Sequence, residues 1–161
     1  ECDLPVHIVR LFNTVGKRQS GQYGMVLPRF VGQALDNEPI CVFGDGEQTR
    51  CFANVRDVTG AMADLVTCPE TEGEVINLGS DAGISINDLA SKVKAVLGSE
   101  STITHISYND AYEEGFEDMR RRVPDLTKAR KLIGYRPAIG LEQTIQEVAG
   151  PNSQPSFETN S

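Results

Sequence analysis

The stretch VHIVRLF, Val6–Phe12, constrains the fold more than any other. It is β-branched, nearly continuous in apolar residues, and stops at Asn13. A strand with one wet face alternates apolar and polar residues. A run without that alternation fits a strand covered on both faces, as in a parallel sheet. EVINLG, Glu74–Gly79, has the same character and ends at a glycine.

Between and after these runs the pattern alternates between strands and helices. Pro28 suits a helix start, with Phe30, Val31, Ala34 and Leu35 on one face and Asn37 at its end. PICVFG, Pro39–Gly44, reads as a short strand, DGEQ as a turn, and TRCFANV, Thr49–Val55, as a second strand. Asp57 is expected to cap a helix carrying Val58, Ala61, Met62, Leu65 and Val66. Ser85 and Asp88 have capping-box spacing before Ile86, Leu89, Val93, Val96 and Leu97, with Gly98 closing the helix. Ser101–Tyr108 alternates weakly, as a strand would. Asp125 is placed to cap a helix through Leu126, Ala129, Leu132 and Ile133, closed by Gly134. Leu141, Ile145 and Val148 mark a last helix. Residues 109–118 are acidic and read as a surface loop, and the polar tail at 150–161 as disordered. The class is α/β. The short pieces between Pro39 and Val55 do not form a regular βαβ series, so a smaller accessory region is expected beside part of a wound sheet.

The chain of 161 residues has a net charge of −8, which argues against nucleic-acid or anionic-membrane binding. That charge is uneven, −1 over residues 1–60 and −7 over the rest, so a local anion site is easier to build early in the chain or at Arg120–Arg122. No apolar run approaches a membrane span. Cys2, Cys41, Cys51 and Cys68 form no C-x-x-C pair and read as free cytosolic thiols, with no metal expected.

Several reaction classes fail on their motifs. GDGEQT, Gly44–Thr49, follows a strand but lacks the third glycine and leads into another strand, so it offers no helix N-terminus to a pyrophosphate. There is no phosphate loop and no nucleophile elbow. His7 reads as packed within a strand, and His105 has no evident partner. Asn13 fares better: it lies just past the carboxyl end of a buried strand, where open α/β sheets place ligands. Its amide both donates and accepts. Arg50 after a turn, and Arg121 and Arg122 before a helix, are forked cations suited to a small anionic ligand.

RLFNTVGKRQ, GMVLPRFVGQAL, PICVFGDGEQTRCFANVRDV, EVINLG and RRRVPDLTKARKLIGYRP occur in this order. Together, over residues 5–149, they resemble the carboxyl-terminal half of the NAD-dependent epimerase/dehydratase family, the extended short-chain dehydrogenases acting on nucleotide sugars. The wording is most similar to UDP-glucose 4-epimerase-type members, and UDP-glucuronate decarboxylases share much of it.

The resemblance implies the last strands of a Rossmann-type parallel sheet plus a small mixed α/β substrate-binding region, over residues 1–149. It implies NAD as cofactor, a UDP-sugar substrate, a cytoplasmic location and a homodimeric parent. It matches Asn13 and Arg50 to contacts with the substrate diphosphate, and Arg122 to a second phosphate contact, with Arg121 as the alternative. Leu27 and Pro28 match the segment flanking the nucleotide. Cys41 and Phe43 match positions whose backbone meets the uracil edge. Asn77 is expected to fix a turn. Two positions depart from the pattern: Lys17 replaces a usual Pro, which leaves the stiffness of its loop open, and Asn54 stands where His or Tyr is common.

The family's catalytic Y-x-x-x-K is absent. Tyr23, Tyr108, Tyr112 and Tyr135 are followed four residues on by Leu27, Tyr112, Phe116 and Ile139. The glycine-rich NAD fingerprint is absent too. The expectation is therefore a nucleotide-sugar-binding part, inactive alone, of a 4-epimerase. A UDP-glucuronate decarboxylase or a nucleotide-sugar 4,6-dehydratase is the alternative within the class, and a non-catalytic nucleotide- or partner-binding module the alternative outside it.

Overall fold

A computed structural model describes residues 5–19, 25–107 and 119–150. The acidic stretch at 109–118 and the tail beyond Gly150 lie outside the described residues. The expected buried strand is β1, Ile8–Leu11, and it runs parallel to β6, Val75–Leu78, with Val9 opposite Ile76. At Asn13 the chain leaves this pair with φ +36, a left-handed value that asparagine tolerates better than most residues. It then enters β2, Thr14–Val15, which pairs in parallel with β5, Ala53–Asn54. Helix α1 is Val26–Leu35, and β3, Ile40–Phe43, pairs in parallel with β8, Ile103–Ile106. A third group is mixed: β4, Thr49–Cys51, lies antiparallel to β7, Gly83–Ser85, and parallel to β9, Arg121–Arg122. The other α-helices among the described residues are α2 (Val55–Val66), α3 (Ile86–Leu97), α4 (Thr127–Ile133) and α5 (Leu141–Ala149). The expected class of parallel strands plus a small mixed region holds.

Two cores form. Leu27, Phe30, Val31 and Ala34 of α1 pack with Ile40 and Val42 of β3, Leu89 and Val93 of α3, and Ile145 of α5. Leu27 and Phe30 are fully buried, worth ~1.5–3 kcal/mol each by transfer. The second core joins Val58, Ala61 and Leu65 of α2 to Ile76 and Leu78 of β6 and to Leu126, Ala129 and Tyr135. β1 meets this core through Val9. Ile8 is 46% and Leu11 49% exposed, so among the described residues β1 is not covered on both faces as its composition implied. Leu35 also turns out of its helix's apolar face, 40% exposed.

Local signals placed the helix ends well, with three corrections. Ser85 Oγ accepts the Asp88 N–H at 3.0 Å, and Gly98 and Gly134 close their helices with φ +63 and +64. Asp125 stands one residue before the cap position, which is Leu126, and its Oδ1 accepts the Thr127 N–H at 2.9 Å. The expected strand Thr49–Val55 is instead broken at Phe52 into β4 and β5, because each half pairs with a different neighbour. The cap of α2 is Asn54, whose Oδ1 accepts the Arg56 N–H at 2.9 Å, rather than Asp57. Asp57 sits inside the first turn and accepts the N–H groups of Ala138 and Ile139 at 3.1 and 2.9 Å, tying the approach to α5 onto α2.

The unusual Asn54 also reaches α5, donating to Thr144 Oγ1 at 3.3 Å and Glu147 Oε2 at 3.0 Å. The Asn54 amide, with Gln143 and Arg56 beside it, holds the Glu147 carboxyl below its ordinary range. The loop with Lys17 is braced without proline: Gln19 Nε2 donates to Thr14 O at 3.3 Å. A Cβ on Gly16 would lie 2.4 Å from Val55 Cγ1, so the turn needs glycine for close approach.

Tyr135, 6% exposed, donates its hydroxyl to Gly79 O at 2.9 Å, and burial pushes its phenol up to about 12. Tyr135→Phe should therefore lower stability by about 1 kcal/mol at neutral pH. Because the folded value lies above the ordinary 10.0, this contribution is complete below pH 10 and fades as pH rises towards 12. Urea melts of both proteins at pH 8 and pH 11.5 check it, and the difference between them should shrink at the higher pH.

Candidate functional site

The carboxyl ends of β1 and β4 and the short β9 bring three of the expected site residues together. Asn13 Nδ2 donates to Cys51 O at 2.9 Å. Arg50 precedes Cys51 on β4 and is the register partner of Arg122 on β9. Cys51 Sγ lies 3.5 Å from Arg122 O, and the Arg122 guanidinium stands 6.0 Å over the Phe12 ring. Cys51 is thus the hub of the cluster. Burial pushes its thiol up, so it packs rather than reacts. Side chains alternate along a strand, which sends Arg121 to the opposite side from Arg122. The geometry therefore groups Arg122 with Asn13 and Phe12.

The three polar groups differ in exposure. Arg122 is exposed and Asn13 half-buried. Arg50 is only 9% exposed, and its Nη1 donates to Thr49 O at 2.9 Å and Met119 O at 2.8 Å. One of its five N–H donors thus holds the segment leading into β9, and another folds back onto the preceding residue of β4. Gly79 sits behind the cluster: a Cβ there would meet Phe12 Cβ at 2.8 Å, which explains the glycine that ends EVINLG. Asn77, expected to fix a turn, points from β6 to Asp125 O at 3.1 Å.

The other expected residues lie along α1 and β3. Leu27 and Pro28 are buried in the first turn of α1, where a missing proline N–H leaves no helical bond unmade. Cys41 is half-buried on β3; its N–H donates to Gln33 Oε1 at 3.2 Å, and its carbonyl accepts from Arg29 Nη2 at 3.1 Å. Phe43 O accepts from Gln48 Nε2 at 3.3 Å, and the Arg29 guanidinium lies 4.1 Å from the centre of the Phe43 ring.

The turn between β3 and β4 joins the two groups of residues. Asn87 Nδ2 donates to Asp45 O at 2.9 Å and Glu47 Oε1 at 2.8 Å. His105 Nε2 meets Asn87 Oδ1 at 2.9 Å and so has a partner, contrary to expectation; with Oδ1 as acceptor, His105 is the donor. On its other side Asp45 binds Arg120 at 2.6 Å, and that guanidinium holds the Asp45 carboxyl below the usual range. Arg120 O accepts the Thr49 N–H at 2.8 Å, so the same turn steadies the chain just before Arg122. Sequence reasoning missed Phe12, Arg29, Gln33, Asn87 and the Asp45–Arg120 pair. The four-residue spacing of Arg29 and Gln33 beside an apolar helix face was the one local signal available.

A family model described as GDP-mannose 4,6 dehydratase matches residues 1–148. The chain belongs to the NAD-dependent epimerase/dehydratase family of extended short-chain dehydrogenases. A UDP-N-acetyl-alpha-D-glucosaminuronate decarboxylase of Bacillus cytotoxicus is 39% identical over 145 residues, covering 89% of this chain and 45% of that protein. Among solved structures, UDP-glucuronic acid 4-epimerase of Bacillus cereus, in complex with UDP-glucuronic acid and NAD, superposes with a TM-score of 0.79 at 26% identity, covering 91% of this chain and 44% of that one. UDP-glucose 4-epimerase of Thermotoga maritima, with UDP-glucose, superposes with a TM-score of 0.76 at 29% identity, covering 88% and 43%. The chain thus spans less than half the length of these family members.

Proposed function

We propose that this chain is the sugar-nucleotide-binding part of an NAD-dependent enzyme acting on UDP-sugars. The observation that carries this reading is at the carboxyl end of β1, where Asn13 bonds Cys51 O and the neighbouring strands set Arg50 in register with Arg122. A diphosphate there would take charge-assisted bonds from two guanidinium forks and a neutral one from the amide. Leu27 and Pro28 would flank the nucleotide at the start of α1. The backbone edge of β3 at Cys41 and Phe43 would read the uracil. Similar solved structures carry UDP-sugars, some of them together with NAD, which supports both ligand classes.

Among the described residues, the glycine turns after β3 and β6 supply no pyrophosphate cradle for NAD. After β3 the turn through Gly44 and Gly46 leads into β4, and after β6 the turn from Gly79 leads into β7. Neither turn opens onto a helix N-terminus that could hold a pyrophosphate. The nicotinamide, when bound, supplies reversible hydride transfer at the sugar. Positioning the nucleotide is the share that falls to this chain.

Two reactions compete. The wording of RLFNTVG and VLPRFV favours a 4-epimerase, and the 39% identity to a UDP-uronate decarboxylase favours decarboxylation. Incubating the intact protein with UDP-glucose and with UDP-glucuronate separates them. The C4 epimer as sole product selects the first, and carbon dioxide release from the uronate selects the second. Failure to bind any UDP-sugar overturns the proposal.

A further inference from the structure

The edge of β3 that faces away from β8 is the point of interest. Ile40 N donates to Thr102 O and Gly44 N to Ile106 O, both at 2.8 Å, so Ile40, Val42 and Gly44 face β8. The amides of Cys41 and Phe43 face the opposite edge, which pairs with no strand among the described residues. At Cys41 this edge is held by two side chains of α1. Gln33 Oε1 accepts its N–H at 3.2 Å, and Arg29 Nη2 donates to its carbonyl at 3.1 Å. Arg29 and Gln33 lie one turn apart and therefore project together. The guanidinium is further seated on aromatic faces, 4.1 Å from the centre of Phe43 and 5.5 Å from that of Phe30.

The pair offers one donor and one acceptor to the amide of a single residue. The imide edge of uracil offers the same set, a ring N–H beside a carbonyl. We infer that Arg29 and Gln33 are an internal surrogate for the base: they occupy the Cys41 edge without ligand and exchange with uracil when the nucleotide binds. This rests on the reading of the β3 edge as the base-reading strand. It also gives the two side chains a purpose beyond packing. An exposed strand edge invites pairing with another chain, and side chains that satisfy its amide block that pairing. The consequence is a competitor built into the site, so removing it should improve nucleotide affinity.

The test uses the intact protein, UDP as probe, and Gln33→Ala, which changes no charge. Gln33→Met, which keeps most of the bulk but has no amide acceptor, is the second variant should the first fold poorly. The UDP dissociation constant is expected to fall three- to tenfold in the variant. In amide exchange followed by NMR, the Cys41 N–H should exchange slowly in the unliganded wild type. It should exchange at least tenfold faster in unliganded Gln33→Ala, and slowly again in both with UDP. UDP binding that is unchanged or weaker in the variant, or a Cys41 amide that stays protected without Gln33, overturns the surrogate. A wild type that does not bind UDP overturns the functional reading instead, and the inference with it.

Discussion

Arg50→Ala is expected to weaken UDP binding by about 2 kcal/mol or more, roughly thirtyfold in dissociation constant. The expectation follows from burial and position together. Arg50 is 9% exposed and stands in register with Arg122 across β4 and β9. A charged hydrogen bond made at so sheltered a position is little weakened by water, whereas one at the exposed Arg122 is screened more. Arg122→Ala should therefore show a smaller and more salt-dependent loss. Arg50 also holds Thr49 O and Met119 O, so its removal slackens the anchorage of β9 and with it Arg122. Arg50→Lys separates the two contributions, because it keeps a charge but loses the fork. Titration calorimetry with UDP, alongside thermal melts of each variant, gives the answer. Unchanged UDP affinity in Arg50→Ala would reject the phosphate role, whatever happens to stability.

Gly46→Ala should destabilise the protein by about 2–4 kcal/mol, and two independent effects are responsible. Gly46 has φ +72, where an alanine costs roughly 1–2 kcal/mol. Its added Cβ would lie 2.0 Å from Asn87 Oδ1 and 2.8 Å from Nδ2. The Asn87 side chain can swing away, but doing so gives up its exposed bonds to Asp45 O, Glu47 Oε1 and His105 Nε2, together worth about 1–2 kcal/mol net. The midpoint of thermal unfolding should fall by at least about 5 °C. Asn87→Ala removes only the second effect, so the double variant should be less destabilised than the sum of the two single ones. Additive losses would show that Asn87 is not displaced, and a wild-type melting curve for Gly46→Ala would refute the argument altogether. The turn lies between the β3 edge and Arg50, so the substitution should also reduce UDP affinity.

Much of this molecule was legible in its residues because the relevant forces act over a few positions. Ser85 and Asp88 met as a capping box, and Gly98 and Gly134 stopped their helices, since a hydroxyl three residues from an N–H and a left-handed turn are local matters. The apolar periods of α3 and α5 likewise named the residues that became core. Asp57 misled for the same reason: a carboxylate near a helix start looks like a cap, yet Asn54 took that place and Asp57 was drawn to the chain at Ala138. The strand through Phe52 looked continuous because strand propensity does not encode which neighbours the two halves will find.

The composition of Val6–Phe12 and the order of five motifs were enough to determine an α/β chain of the epimerase/dehydratase family and to single out Asn13, Arg50 and Arg122. Their meeting around Cys51 was decided only in three dimensions. Asn13 lies 37 residues from Arg50, and Arg50 lies 72 from Arg122, so strand pairing alone could join them. The same holds for the side chains on the β3 edge. Nothing in the sequence joined Arg29 and Gln33 to Cys41, and their bonds to it exist because core packing lays α1 against β3. Hydrogen bonds act over about 3 Å, and only the fold sets which groups lie that close.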